Sequence, residues 1–252
     1  MLSFLLLNRN IPLCSNHKEG LDFTHDAADR HKSYEVLPYF SMREKEAVIQ
    51  TIREAFRETD HPGDAFLVGS REGCEPAEVI APFLGVADWS AIEATVLDDN
   101  SEALSFFSEG GFRFFLPAYL VANLKESLQR ADPVFHLTNG FSDTRVSLPA
   151  GGQMFEKTVG KSALVNPRRF GALTFYDYAC YRLSIFTREE SGAIVAFLEY
   201  RRDADPSGFD APRITAALDG FWQDRAVHAP TCASLRKHVD DEAAYLRGLQ
   251  RP

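Results

Sequence analysis

Cysteine, basic charge and long apolar runs are all scarce in this chain of 252 residues. The four cysteines, Cys14, Cys74, Cys180 and Cys232, stand far apart with no C-x-x-C pair. That excludes a disulfide-stapled scaffold and fits a compartment where thiols stay reduced, so a cytoplasmic location is expected. Lys and Arg number 27 against 36 Asp and Glu, for a formal charge of -9. A chain of that sign repels phosphate backbones, and nucleic acid is not an expected partner. No segment reaches the roughly 18 uninterrupted apolar residues of a spanning helix. The nearest, Phe112 to Leu124, is broken by Arg113 and Asn123. The opening MLSFLLLNRN is apolar, but it lacks a basic stretch before it and a small-residue cleavage site after it, so it reads poorly as a signal peptide. No membrane association is expected.

What is present is ordinary for a folded domain: 45% hydrophobic and 25% charged residues, in a length sufficient for a packed core. Residues 1–40 mix turn-forming and charged clusters without a sustained period, an irregular arm. From Ser41, with Glu44 three residues on, Val48, Ile52, Ala55 and Phe56 recur at helical spacing to about Thr59, where His61-Pro62-Gly63-Asp64 breaks the pattern. Ala65 to Gly69 is a short strand or extended chain. Glu75-Pro76 opens a second helix that stops at Gly85; Asp88 caps a third carrying Trp89, Ile92, Val96 and Leu97; a short one follows through Phe107.

Ser108 to Leu128 is apolar over most of a helical circumference, with Leu116, Leu120, Leu124 and Leu128 in one stripe. It is the expected central buried element. Pro117 predicts a kink or two abutting helices, and the lone Arg113 must find a partner or reach water. Asn139 to Phe170, punctuated by glycine and proline, reads as a loop or linker, with hairpin strands an open alternative. Tyr176 to Phe186 is ambiguous. Thr187 with Glu190 repeats the capping box for a helix ending near Arg202, Asp210 with Pro212 opens another through Trp222, and short helices including Ala243 to Leu249 finish the chain.

The expected fold is therefore mainly α: a compact multi-helix arrangement with long irregular loops and at most a small β element. It divides into the arm at 1–40, a helical core at 41–138, a loop or linker at 139–170, and a second helical lobe at 171–252 packed on the first.

Familiar chemistry fails to match. Gly160-Lys161-Ser162 has Phe155 where a phosphate loop needs its first glycine. Gly69-Ser70-Arg71-Glu72-Gly73 is one residue too long for a nucleophile elbow. Cys14, His17, His25 and His31 crowd one segment at no recognised zinc spacing, and His228 with Cys232 and His238 are explained as well by a helix face. Asp98-Asp99, Glu189-Glu190 and Asp240-Asp241 are adjacent pairs whose side chains diverge, read as solvated helix starts. The 20 phenylalanines mostly sit at helical spacing beside leucines, which is core patterning. No cofactor and no metal are expected.

The words GFRFFLPAYLVANL, ending at Leu124, resemble the signature of a bacterial family defined only as a domain of unknown function. Agreement in order extends to Ala55-Phe56, Pro62-Gly63-Asp64, the helix at Glu75, Trp89, Ala103-Leu104-Ser105-Phe106 and Asp132-Pro133-Val134-Phe135-His136-Leu137. The similarity covers Ser41 to Leu137 well and the second half loosely. It implies an architecture but neither a reaction nor a cofactor. Its matched polar positions, Asp64, Arg113 and Tyr119, are the candidate binding residues, with Trp89 beside them as core.

Two functional expectations follow. The first is an interaction protein, immunity- or antitoxin-like, whose acidic surface speeds association with a basic protein partner; it is not expected to be an enzyme. The alternative is a small-ligand binder or enzyme with a pocket between the two helical lobes near Arg113, the 139–170 loop serving as lid.

Overall fold

Ser108 opens the helix on which the rest of the molecule is laid, its hydroxyl accepting the Gly111 N–H at 3.0 Å. The computed structural model describes residues 39–69 and 75–238. The irregular arm with Cys14, His17, His25 and His31, residues 70–73 of the elbow-like sequence, Asp240-Asp241 and the Ala243 to Leu249 helix lie outside the described residues.

The helices are α1 (Tyr39–Ala55), α2 (Glu75–Ile80), α3 (Ala94–Asp99), α4 (Ala103–Phe106), α5 (Glu109–Leu124), α6 (Pro133–Thr138), α7 (Pro167–Phe170), α8 (Phe175–Leu183), α9 (Arg188–Ala204), α10 (Ala211–Ala217) and α11 (Gln223–His228). Residues 232–238 are also helical. Asp64–Phe66, Ala81–Phe83 and Trp89–Ala91 are single 3-10 turns, and a π turn at Leu218–Trp222 joins α10 to α11. The fold is mainly α, and its one sheet among the described residues is an antiparallel hairpin, β1 (Asp143–Ala150) and β2 (Gln153–Gly160).

α5 is buried nearly all round, from Gly111 through Leu124. It packs on α1, α3, α6 and the Trp89 turn. Its rings begin an aromatic chain: Phe115 stacks on Phe107 at 4.9 Å and meets Phe83 edge-on at 5.1 Å, while Phe112 touches Phe186, which reaches Phe56 and Trp222. α9 packs across α1 on one side and α10 and α11 on the other. The Trp222 indole closes this side by donating to the Leu137 carbonyl at 2.8 Å.

Several expectations need correction. α1 is already helical at Tyr39, so Ser41 lies inside it rather than at its cap. Asp88 caps only the Trp89 turn, because Ile92 and Glu93 are extended before α3 begins. α5 does not divide at Pro117: packing on several sides holds one continuous helix despite the N–H that proline lacks. It also ends at Leu124, leaving Leu128 outside. There Glu126 adopts φ 58°, and the Ser127 N–H closes back on the Ala122 carbonyl at 3.0 Å. Where composition suggests a loop at 139–170, the hairpin forms around Gly151-Gly152, both at positive φ.

Candidate functional site

Arg113 sits on the first turns of α5, facing the start of α9. Its Nε donates to both carboxylate oxygens of Glu190, at 3.0 and 2.9 Å. Glu190 is buried, and the same carboxylate accepts the Thr59 hydroxyl at 2.7 Å and the Thr187 N–H at 2.9 Å. Thr187 returns the contact by accepting the Glu190 N–H, so the capping box read from sequence is complete. Glu190 is thus no solvated helix start: it ties α1's exit, α5 and α9 into one charge-assisted knot. The arginine that sequence nominates for a ligand holds an internal carboxylate through its Nε.

Tyr119 lies six residues on, about 9 Å along the axis and on another face of α5. It is fully buried, and its hydroxyl donates to the Asn100 carbonyl at 3.4 Å. Burial, and secondarily the Asp98 charge, push that phenol well above its ordinary range. Asp64 is a surface residue in a third place: both its oxygens accept the Gly85 N–H at 3.1 Å, tying two turns together. Trp89 is core, donating its indole N–H to the Phe56 carbonyl at 3.3 Å. Asp64, Arg113 and Tyr119 therefore occupy three separate hydrogen-bonded clusters rather than one site.

Asp98, too, is no helix start. At the end of α3 its Oδ1 accepts three consecutive backbone N–H groups, Gln129, Arg130 and Ala131, at 2.8, 2.7 and 3.0 Å. Those bonds and Arg130 hold its carboxyl below the usual range against the opposing pull of desolvation. Gly160-Lys161-Ser162 likewise binds an internal carboxylate. Asp143 accepts the Ser162 N–H at 2.8 Å and its hydroxyl at 2.9 Å.

Two features escape the sequence. Around Phe112, the Arg182 guanidinium lies 4.7 Å over the ring and donates to the Leu104 carbonyl at 2.7 Å, with the His136 ring 6.3 Å from Phe112. Burial, with Arg182 nearby, drives the His136 imidazole down to about 3, so it is neutral at pH 7. Tyr178 and Glu109 act on the same guanidinium. The four titratable residues come from α5, α6 and α8, so no local spacing signals them. The other is an acidic face at the C-terminal half of α9, where Glu199, Asp203 and Asp219 gather around Arg202 and raise its pKa. Arg202 donates to Asp203 at 2.9 Å, and Asp205 is exposed just beyond.

Among the described residues no group of three or more His, Cys, Asp or Glu side chains is placed to hold a metal ion, and no helix is long and apolar enough to cross a membrane. No protein-family model matches the chain, and no curated protein or solved structure gives a significant match.

Proposed function

We propose that the chain is a cytoplasmic protein-interaction module that meets a basic protein partner through its acidic surface, in the manner of an immunity or antitoxin protein. The resemblance of its GFRFFLPAYL segment to the bacterial family of unknown function belongs to the same proposal. The observation that carries the reading is the cluster of Asp203, Glu199 and Asp219 around Arg202, with Arg201 in the same last turn of α9, on a chain of charge -9. Such a face steers a cationic partner and accelerates encounter. Arg113, the residue favouring a ligand pocket, already holds Glu190 through its Nε.

The test is photocrosslinking from position 203 in producing cells, with the captured protein then purified and its association rate measured from about 50 to 500 mM salt. The expected result is a rate that falls steeply with salt and drops about tenfold in Asp203→Lys/Asp219→Lys. A salt-insensitive rate overturns the proposal, as does the absence of any captured protein.

One observation favours a second reading, a small-ligand binder: a neutral imidazole and the Arg182 guanidinium gathered around the Phe112 ring. Such a pair offers an N–H donor and a cation to one small anion. Inorganic phosphate that shifts the His136 ring resonances saturably supports it, and unshifted resonances remove it.

A further inference from the structure

Val79 to Ala87, VIAPFLGVA, is a run of nine residues without a polar side chain, and Ala65 to Gly69 is another of five. Only part of each goes into the core. Leu67, Ile80 and Phe83 are buried, while Phe66 is 68% exposed, Leu84 51%, and Ala65, Ala81 and Pro82 are exposed beside them in sequence. A single exposed apolar residue needs no explanation, but these lie on two turns that are joined to each other. Both oxygens of Asp64 accept the Gly85 N–H at 3.1 Å, which holds the turn carrying Phe66 against the turn carrying Leu84. The backbone under Phe66 is fixed as well. The Ser108 N–H donates to the Leu67 carbonyl at 2.7 Å, the Ser108 hydroxyl to the Phe66 carbonyl, and the Gly69 N–H to the Phe106 carbonyl at 2.8 Å. Gly69 permits that approach, since an added Cβ would stand 2.7 Å from the Phe107 carbonyl oxygen. Phe66 is therefore held in water by a pinned segment whose next residue, Leu67, is fully buried.

The charge of this part of the chain is one-sided. From Asp60 to Phe112 lie eleven of the 36 acidic residues and one of the 27 basic ones, Arg71, so this stretch is -10 and the rest of the chain together +1. Next to the apolar turns Asp60, Asp64, Glu78 and Asp88 are all exposed. Asp64 and Asp88 hydrogen-bond to Gly85 and Ser90, neutral donors that leave each carboxylate its charge, and His61 stands 3.8 Å from Asp64. The arginines that do meet this stretch act elsewhere, Arg130 on Asp98 and Asp99 and Arg182 near Glu109.

We propose that the joined turns at Phe66 and Leu84 seat a cationic amphipathic segment of a partner protein, its apolar anchors on those two side chains and its lysines or arginines toward Asp60, Asp64, Glu78 and Asp88. Apolar anchors inside a polar rim are the anatomy of a protein interface, and the sign of the rim selects the partner. Charge complementarity therefore chooses the occupant. Phosphate backbones and anionic lipid surfaces are repelled by a stretch of charge -10, and a second copy presenting the same surface brings like charge to like. This seat presupposes the basic partner proposed above and adds where the apolar contact is made and what the partner segment carries. The cluster around Arg202 takes no part in it.

The test is fluorescence anisotropy of a labelled lysine–leucine peptide of amphipathic pattern, about four helical turns long, titrated with the full chain beside a glutamate–leucine peptide of the same pattern. The expected result is saturable binding of the lysine peptide alone, with a dissociation constant that rises about tenfold in Phe66→Ser/Leu84→Ser and about threefold in Glu78→Lys. Circular dichroism of these variants should match the parent's, because the substituted side chains are exposed. Asp203→Lys/Asp219→Lys should leave the peptide's affinity within about twofold. Absence of saturable binding by the lysine peptide overturns the proposal, as does equal binding of the glutamate peptide. A dissociation constant unmoved by Phe66→Ser/Leu84→Ser overturns it too, and if Asp203→Lys/Asp219→Lys then abolishes binding, the reading built on α9 survives without this seat.

Discussion

The Arg113–Glu190 pair shows how a charge enters a nearly all-apolar helix without ruin. Glu190 has each oxygen satisfied twice, by Arg113 and by Thr59 or Thr187, so its desolvation is compensated. Removing one partner strands the other: Arg113→Met should cost about 3 kcal/mol, toward the lower end for a buried pair because Arg113 retains partial contact with water. In urea unfolding, Arg113→Met/Glu190→Gln should recover part of that loss, whereas strict additivity would show that the two residues act independently. Glu126 offers the opposite case. Its φ of 58° at the end of α5 is the left-handed position that favours glycine, and its exposed bond to Lys45 contributes little. Glu126→Gly should stabilise by about 0.5 kcal/mol, read as a higher urea midpoint at unchanged slope.

At the scale of elements, legibility followed locality. The caps at Ser108 and Thr187, and the prolines at the starts of α2 and α10, were readable because each signal lies within three residues of the helix start. The end of α5 was not, since Leu128 keeps the apolar period while the turn at Glu126 sets the boundary. Nor was the site. Arg113 was rightly seen to need a partner, but Glu190 is 77 positions away, and its capping box with Thr187 marks a helix start without pointing to Arg113. The hairpin stayed one of two open readings, since glycine, serine and proline also read as loop, and the Leu148–Phe155 register settles it as two paired strands. Because that pairing has so little packed against it, β1 and β2 amides should exchange orders of magnitude faster than those of α5 in a monomeric sample. Equal protection of the two would mean that the hairpin is covered.

For the whole molecule, acid should act first through histidine. His136 holds its proton only near pH 3 when folded but near 6.5 when unfolded, so between those values the unfolded chain binds a proton that the native one refuses. Stability is therefore full above pH 6.5 and falls as pH drops, by at most about 1.4 kcal/mol per unit from this group. Asp98 and Glu189, whose carboxyls are held low by hydrogen bonds, add their losses only near and below the ordinary carboxylate range. Asp132 opposes both. Burial raises its carboxyl, so the native state takes up that proton first and gains as pH falls. The window from pH 6.5 to 5 thus isolates His136, offset in part by Asp132. Urea midpoints measured from pH 7.5 to 5 should fall in the parent and stay nearly level in His136→Asn, which keeps a polar group but does not titrate. Parallel decline in the two proteins would place the acid-sensitive proton on another side chain and leave His136 without a part in it.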